Sequence, residues 1–153
     1  MQLPVSPKLE NLRLQFKTSI SVNLAVNLSR HQNVRKLHLE GWIRNLPKPH
    51  ELPPNLTKLT LKGSTLEEDP FETLRKLPKL EILKLSHIWP TGSRMVCSGG
   101  SSADSFPQLQ VLEIDYLYYL EELIVEEGGM PKLNKFSIKN CPDLKMLSDR
   151  LKN

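Results

Sequence analysis

Four histidines and two cysteines are the residues of this 153-residue sequence that could act as metal ligands or nucleophiles. These residues are His31, His38, His50, His87, Cys97 and Cys141. Zinc sites need ligands at short, regular spacings, and the histidines are scattered without such a pairing. Two cysteines that lie far apart in the sequence do not make a disulfide framework. We therefore predict no metal site, reduced thiols, and packing or surface roles for the histidines.

Nucleotide and cofactor binding have no sequence signature either. The chain contains neither a G-x-x-x-x-G-K-[ST] loop nor a G-x-G-x-x-G turn, the two glycine-rich motifs that hold phosphates. No group of side chains has the composition of a catalytic site. The sequence thus predicts a protein that is not an enzyme and carries no cofactor.

The overall composition is that of a globular protein, with 39% apolar and 25% charged residues. No apolar run reaches the roughly 18 residues of a membrane span. The start, MQLPVSPKLENL, lacks the basic and apolar regions of a secretory signal, so we expect a cytoplasmic or nuclear protein. Glycosylation sequons at Asn27 and Asn55 would suit an extracellular protein, but chance occurrence is the favoured interpretation.

The formal net charge of +4 is unevenly distributed. Residues 1–62 contain ten Lys and Arg against three Asp and Glu, whereas residues 63–153 contain eleven against fourteen. Such an asymmetry could steer a charged partner towards one end of the molecule. A plain solvated surface explains it about as well.

A repeated skeleton sets where all of these side chains lie. The pattern of an apolar residue, two others, an apolar residue, one other and an apolar residue occurs six times. The copies are LENLRL, VRKLHL, LTKLTL, LEILKL, LQVLEI and LNKFSI, which start at residues 9, 34, 56, 80, 109 and 133. Spacings of 22 to 29 residues are those of leucine-rich repeats. We predict one leucine-rich-repeat domain over residues 1–153, an α/β solenoid of about six repeats with a parallel concave β-sheet and an irregular or short-helical convex side.

The alternation within each copy decides which side chains face the core. In Leu-x-Leu the two leucines point to one face of a strand and the residue between them points to the other. A proline stands two residues before five of the six copies, where it suits the entry to a strand. On the convex side, DPFETLRKL at 69–77 predicts a short helix with Asp69 as its cap and with Phe71, Leu74 and Leu77 facing inward.

The longest repeat contains a surplus segment at residues 86–106. Its Gly99 to Ser105 part is small and polar, which predicts a flexible loop inserted in the array. Such loops often carry contacts, and harmless length variation is an equal alternative. Cys97 lies in this loop and is the expected exposed thiol. Cys141 occupies the N/C slot of its repeat, where we expect its side chain to turn inward and hydrogen-bond the backbone.

The residues between and beside the apolar positions form the predicted concave face. Their mixture of basic and acidic side chains suits a protein partner better than a nucleic acid, which needs a continuous basic track. The predicted contact residues are Arg13, Arg35, His38, Lys58, Thr60, Lys62, Lys84, Glu113, Asp115, Lys135 and Lys139.

Four aromatic residues stand just beyond the strands: Trp42, Tyr116, Tyr118 and Tyr119. They could anchor a contact at the rim. They could equally pack inside, which is the favoured interpretation for Trp42.

Four longer runs are more specific than the repeat itself. PPNLTKLTLKGSTLEEDP, LRKLPKLEILKLS, FPQLQVLEIDYL and EELIVEEGGMPKLNKFSIKNCPDLKMLSDRL lie within residues 53–153. They strongly resemble the C-terminal leucine-rich-repeat region of plant intracellular nucleotide-binding leucine-rich-repeat disease-resistance proteins of the coiled-coil class. The likeness extends over the chain and is looser over residues 1–52. Ser148 stands where the family commonly has proline after the last repeat leucine.

This resemblance implies a cytoplasmic immune receptor whose horseshoe recognises a pathogen effector or a guarded host protein and restrains a nucleotide-binding switch. The family's nucleotide site lies in a preceding domain, so no nucleotide-binding residue is carried over. We expect the chain to be a fragment, with that domain as a further protein partner. The alternative is a stand-alone leucine-rich-repeat scaffold, such as a substrate adaptor of a ubiquitin ligase.

Overall fold

A computed structural model describes residues 6–17, 22–23, 27–90, 92–99 and 105–152. Its main element is a parallel β-sheet whose strands come from successive repeats. In spatial order the sheet contains β1 (Asn11–Phe16), β3 (Lys36–Gly41), β5 (Lys58–Lys62), β7 (Ile82–Pro90), β9 (Val111–Leu117) and β11 (Lys135–Lys139). Every neighbouring pair is parallel, so chain order and spatial order agree. The predicted parallel solenoid is confirmed.

Shorter elements connect the strands of this sheet. The short strands are β2 (Val22–Asn23), β4 (Ile43–Asn45), β6 (Thr65–Leu66), β8 (Arg94–Cys97), β10 (Glu122–Val125) and β12 (Met146–Leu147). Strands β8, β10 and β12 make a three-stranded parallel sheet, β2 pairs with β4, and β6 pairs with β7. The helical elements of the described residues are α1 (Pro70–Leu74) and the 3-10 turns Pro49–Glu51 and Asp149–Leu151. No helix in this part of the chain is long and apolar enough to cross a membrane.

The core consists of two apolar rows that cross the concave sheet. In the four central strands these side chains are at most 2% exposed: Leu37, Leu59, Leu83 and Leu112 in one row, and Leu39, Leu61, Leu85 and Ile114 in the other. The corresponding residues of β1 and β11 are only partly buried. Each repeat buries its apolar side chains against those of the neighbouring repeats, as a solenoid requires.

The predicted convex helix is confirmed, although it is only five residues long. One carboxylate oxygen of Asp69 accepts a hydrogen bond from the Phe71 backbone N–H at 2.9 Å. The other accepts from the Val96 N–H at 2.8 Å and so joins α1 to β8. The three apolar residues predicted to face inward are buried, and the ring of Phe71 packs edge-to-face on that of Phe106 with centroids 5.2 Å apart.

Part of the segment predicted to be a loop is strand. Residues 86–90 continue β7, and β8 pairs along its length with β10. Residues 91 and 100–104 lie outside the described residues. The prediction of an exposed Cys97 is wrong, because alternation along β8 turns Met95 and Cys97 inward, and both are 0% exposed. Burial raises the pKa of the Cys97 thiol to about 11.

Candidate protein-binding surface

The outward-facing residues of the concave sheet form three rows that run across the strands, because the strand register sets equivalent residues side by side. The first row is Asn11, Lys36, Lys58, Ile82, Val111 and Lys135. The middle row is Arg13, His38, Thr60, Lys84, Glu113 and Ser137, and the third is Gln15, Glu40, Lys62, Ser86, Asp115 and Lys139. The structure brings ten of the predicted contact residues into these rows. The remaining one, Arg35, stands one residue before β3.

Glu40 is the centre of a hydrogen-bond network at the β1 end of the surface. Its Oε2 lies 3.1 Å from His38 Nε2, 3.1 Å from Arg13 Nη2 and 3.3 Å from Gln15 Nε2. These contacts lower the pKa of Glu40 to about 2, with the His38 hydrogen bond as the largest cause, followed by the Gln15 bond. Glu40 is therefore ionised at neutral pH and already has its partners.

Carboxylates nearer the β11 end also have local partners. Glu113 lies between Lys84 and Lys135, with N···O distances of 3.4 Å and 3.8 Å. Asp115 accepts a hydrogen bond from the Asn140 side-chain amide at 2.8 Å. Ion pairs exposed to this degree contribute little to stability. Their effect is that the charge of Glu113 is neutralised locally, while Asp115 has a neutral hydrogen-bond donor.

A group of cations on this surface has no carboxylate within ion-pair distance in the part of the chain that the structure describes. Within the described residues, Arg35, Lys36, Lys58 and Lys62 form no ion pair, and we call them the basic cluster. Lys36 and Lys58 lie directly opposite each other on β3 and β5. A recess of about 240 Å³ lies beside them, lined by Asn11, Leu12, Arg13, Lys36, Leu37, His38, Lys58 and Thr60. The β1 end of the surface therefore suits an acidic partner.

Aromatic side chains border the surface where the strands end. The ring of His87 stacks on that of Tyr116 at 4.6 Å, and Trp89 stacks on Tyr118 at 5.3 Å. The sequence predicts Tyr116 just beyond its strand, but the residue belongs to β9 itself. The favoured interpretation of Trp42 as a packing residue is wrong, since its side chain is 48% exposed. The sequence analysis did not single out His87 and Trp89 as rim residues. They stand seven and nine residues after the start of their repeat copy, as Tyr116 and Tyr118 do in the next copy.

The N/C slot of the repeats makes the predicted hydrogen bond to the backbone. Cys141 Sγ donates a hydrogen bond to the Lys139 carbonyl at 3.3 Å, and partial burial raises its pKa. Ser64 fills the same slot in an earlier repeat, is 0% exposed, and donates to the Gly41 carbonyl at 3.0 Å. Ser148 accepts a hydrogen bond from the Val125 N–H at 2.8 Å, which a proline side chain at that position could not do.

The histidines are not assembled into a site. His31 is buried, His50 is exposed, and the other two lie on or beside the concave surface. The described residues contain no group of three or more His, Cys, Asp or Glu side chains that could hold a metal ion.

This repeat geometry has a counterpart among known proteins. The family described as a leucine-rich repeat region matches residues 2–151. The chain belongs to this leucine-rich-repeat family. The leucine-rich-repeat chain is also similar to the disease resistance protein RPP8 of Arabidopsis thaliana, with 43% identity over 120 residues. It is 41% identical over 120 residues to the disease resistance RPP8-like protein 3 of the same plant.

Each of these two matches covers 78% of this leucine-rich-repeat chain and 13% of the relative. The chain therefore spans about an eighth of the length of these curated relatives. No solved structure matches the leucine-rich-repeat chain. The resemblance to the leucine-rich-repeat region of plant disease-resistance proteins is confirmed.

Proposed function

We propose that this chain is the recognition module of a plant innate immune receptor. Its concave sheet senses a pathogen effector or a guarded host protein, and it restrains the receptor's nucleotide-binding domain until that signal arrives. On this proposal the module is non-catalytic, acts in the cytoplasm or nucleus, and works as part of a longer chain. The similarity to disease resistance proteins and the presence of a continuous concave sheet support it.

The observation that carries the proposal is the basic cluster. Arg35 and Lys36 are exposed, and none of the four cations is held by a carboxylate within the described residues. Like charges directly opposite each other on paired strands, as Lys36 and Lys58 are, repel one another. Carboxylates of a partner protein would relieve that repulsion. The cluster is thus better suited to binding a partner than to stabilising the repeats.

Charge reversal in the full-length receptor tests this function. We expect Lys58→Glu to weaken the cell-death response that follows co-expression of the receptor with its matching effector. We also expect it to raise the low level of cell death in the absence of the effector, because the same surface is proposed to restrain the receptor. Protein levels should be compared by immunoblot.

The matched control is Lys76→Glu, which makes the same charge change at an exposed residue just after the convex helix. This variant should behave as the parent does. If Lys58→Glu and Lys62→Glu both left the triggered and the resting responses unchanged at normal protein levels, the proposal would be rejected.

A further inference from the structure

Five consecutive repeats each have a residue with positive φ directly after the third row. These residues are Gly41 (φ 125°), Gly63 (73°), His87 (55°), Tyr116 (54°) and Asn140 (54°), and each directly follows a third-row residue that the register pairs with its neighbours. The two glycines are neighbours, so a gap interrupts a row that elsewhere carries side chains. We call this gap the glycine notch.

Aromatic side chains wall the glycine notch. Phe16 lies opposite Gly41 in the strand register, and His87 follows Gly63 in the row. Trp42 and Trp89 also line the recess, whose volume is about 520 Å³. The two indole side chains are 48% and 38% exposed, so each presents a large apolar surface to the recess. An opening of this size accepts a large apolar side chain.

The charges at the notch favour an acidic occupant. Lys17 and Lys62 line the recess, and Lys62 belongs to the basic cluster. The one carboxylate among the lining residues is Glu40, which is already engaged by three donors from its own and the neighbouring strand. Lys62 stands opposite Glu40 in the strand register and helps to lower its pKa, but within the described residues neither Lys17 nor Lys62 forms an ion pair. A carboxylate supplied from outside would therefore meet two cations able to pair with it.

We propose that the glycine notch docks an extended acidic segment of a partner protein, which inserts one aromatic or large aliphatic side chain between Trp42 and Trp89. The segment's carboxylates lie along Lys62 and continue over the basic cluster. This inference rests on the proposed function, since both require a protein partner, and it adds the chemistry that the partner must present. Aromatic residues that line a recess are typical anchors of protein interfaces.

A membrane surface is the other class of partner that exposed tryptophan and lysine can indicate. The geometry favours a peptide, because the indoles line a recess and are themselves more than half covered. Interfacial membrane anchors instead present their apolar face to the acyl boundary. Vesicle binding is therefore one outcome of the test.

The sequence supplies its own probe. The chain contains two tryptophans, and both line the notch, so intrinsic tryptophan fluorescence reports on its occupancy. Three synthetic nine-residue peptides should be titrated into the 153-residue chain. The first is rich in Asp and Glu with a central Phe, the second has Ser in place of the Phe, and the third has Lys in place of the acidic residues. Vesicles containing phosphatidylserine form a fourth arm.

We expect the acidic peptide with Phe to change the fluorescence and to bind about tenfold more tightly than either control peptide. Gly63→Asn should weaken that binding by a similar factor, because it fills the notch from its floor. An added Cβ at Gly63 meets nothing closer than 3.8 Å, and Asn140 shows that asparagine adopts this backbone conformation in a later repeat. Lys62→Glu should weaken binding without filling the notch, and Lys76→Glu should leave it unchanged.

Equal binding of the three peptides, preference for the vesicles, or full binding by both Gly63→Asn and Lys62→Glu would overturn the proposal. Circular dichroism of each variant shows whether it is folded. If Gly63→Asn is unfolded, Lys62→Glu provides the test of peptide binding. Failure of the notch alone would leave the effect of Lys58→Glu on the receptor's response intact. Failure of the proposed function would remove that effect while peptide binding at the notch persisted.

Discussion

Shortening the Leu112 side chain should cost a large part of the stability of the central repeats. Leu112 is 0% exposed, and the register places it between Leu83 on β7 and Phe136 on β11. A Leu→Ala change at a buried site costs about 2–5 kcal/mol, the larger values applying where the surroundings cannot collapse. Because strands cover Leu112 on both sides, we expect Leu112→Ala to cost about 3–5 kcal/mol. Phe136→Ala, in the same row but partly buried, should cost less despite its larger side chain.

Urea unfolding followed by far-ultraviolet circular dichroism measures this effect. With an m-value of about 2–3 kcal/mol/M, the midpoint of Leu112→Ala should fall by roughly 1–2.5 M. Gln110→Ala is the matched control, since that side chain is exposed just before the same strand, and it should change stability by less than about 0.5 kcal/mol. Leu112→Asp should abolish cooperative unfolding, because it buries an unpaired charge. Equal midpoints for Leu112→Ala and Gln110→Ala would show that the inward face has been assigned wrongly.

Three further predictions concern protonation, thiol reactivity and backbone geometry. Burial raises the pKa of Asp69 from 3.8 to about 6, so the folded state holds its proton more tightly and stability should fall as pH rises from about 4 to 6. Asp69→Asn should remove that part of the profile in urea melts at stepped pH. In the native chain at pH 8, iodoacetamide should modify Cys141 faster than the buried Cys97, with the difference lost in urea, as followed by mass spectrometry. Gly41→Ala would put a Cβ 2.4 Å from the Phe16 carbonyl oxygen, so it should lower the thermal midpoint more than Gly63→Asn does.

The concave sheet could be predicted because its cause is local. In LTKLTL, the alternation that makes Leu59 and Leu61 inward-facing is visible within six residues. The Asp-Pro pair that starts the convex helix is equally local. Strand β8 was missed because Arg94–Cys97 lies outside the repeated skeleton, and a glycine- and serine-rich stretch beside it suggested a loop.

The charge pairing and the aromatic rim depend on geometry that the sequence pattern does not specify. Arg13 and Glu40 are 27 residues apart, and they meet diagonally because the register of β1 and β3 pairs Arg13 with His38, two residues before Glu40 on the same face. Trp42 occupies a slot that faces inward in other repeats. In this repeat the next residue, Ile43, enters the core instead, at 0% exposed, and Trp42 stays outside.

The row of positive-φ residues also divides the binding surface by how freely its amino acids can be exchanged. Outward positions on the strands have ordinary extended geometry, so new side chains there leave the backbone unchanged. At Gly63, Tyr116 or Asn140 the backbone excludes β-branched residues and favours glycine, asparagine and a few others. New binding specificities, whether selected in nature or introduced by design, should therefore arise mainly through the three strand rows, while the edge beside them keeps its shape.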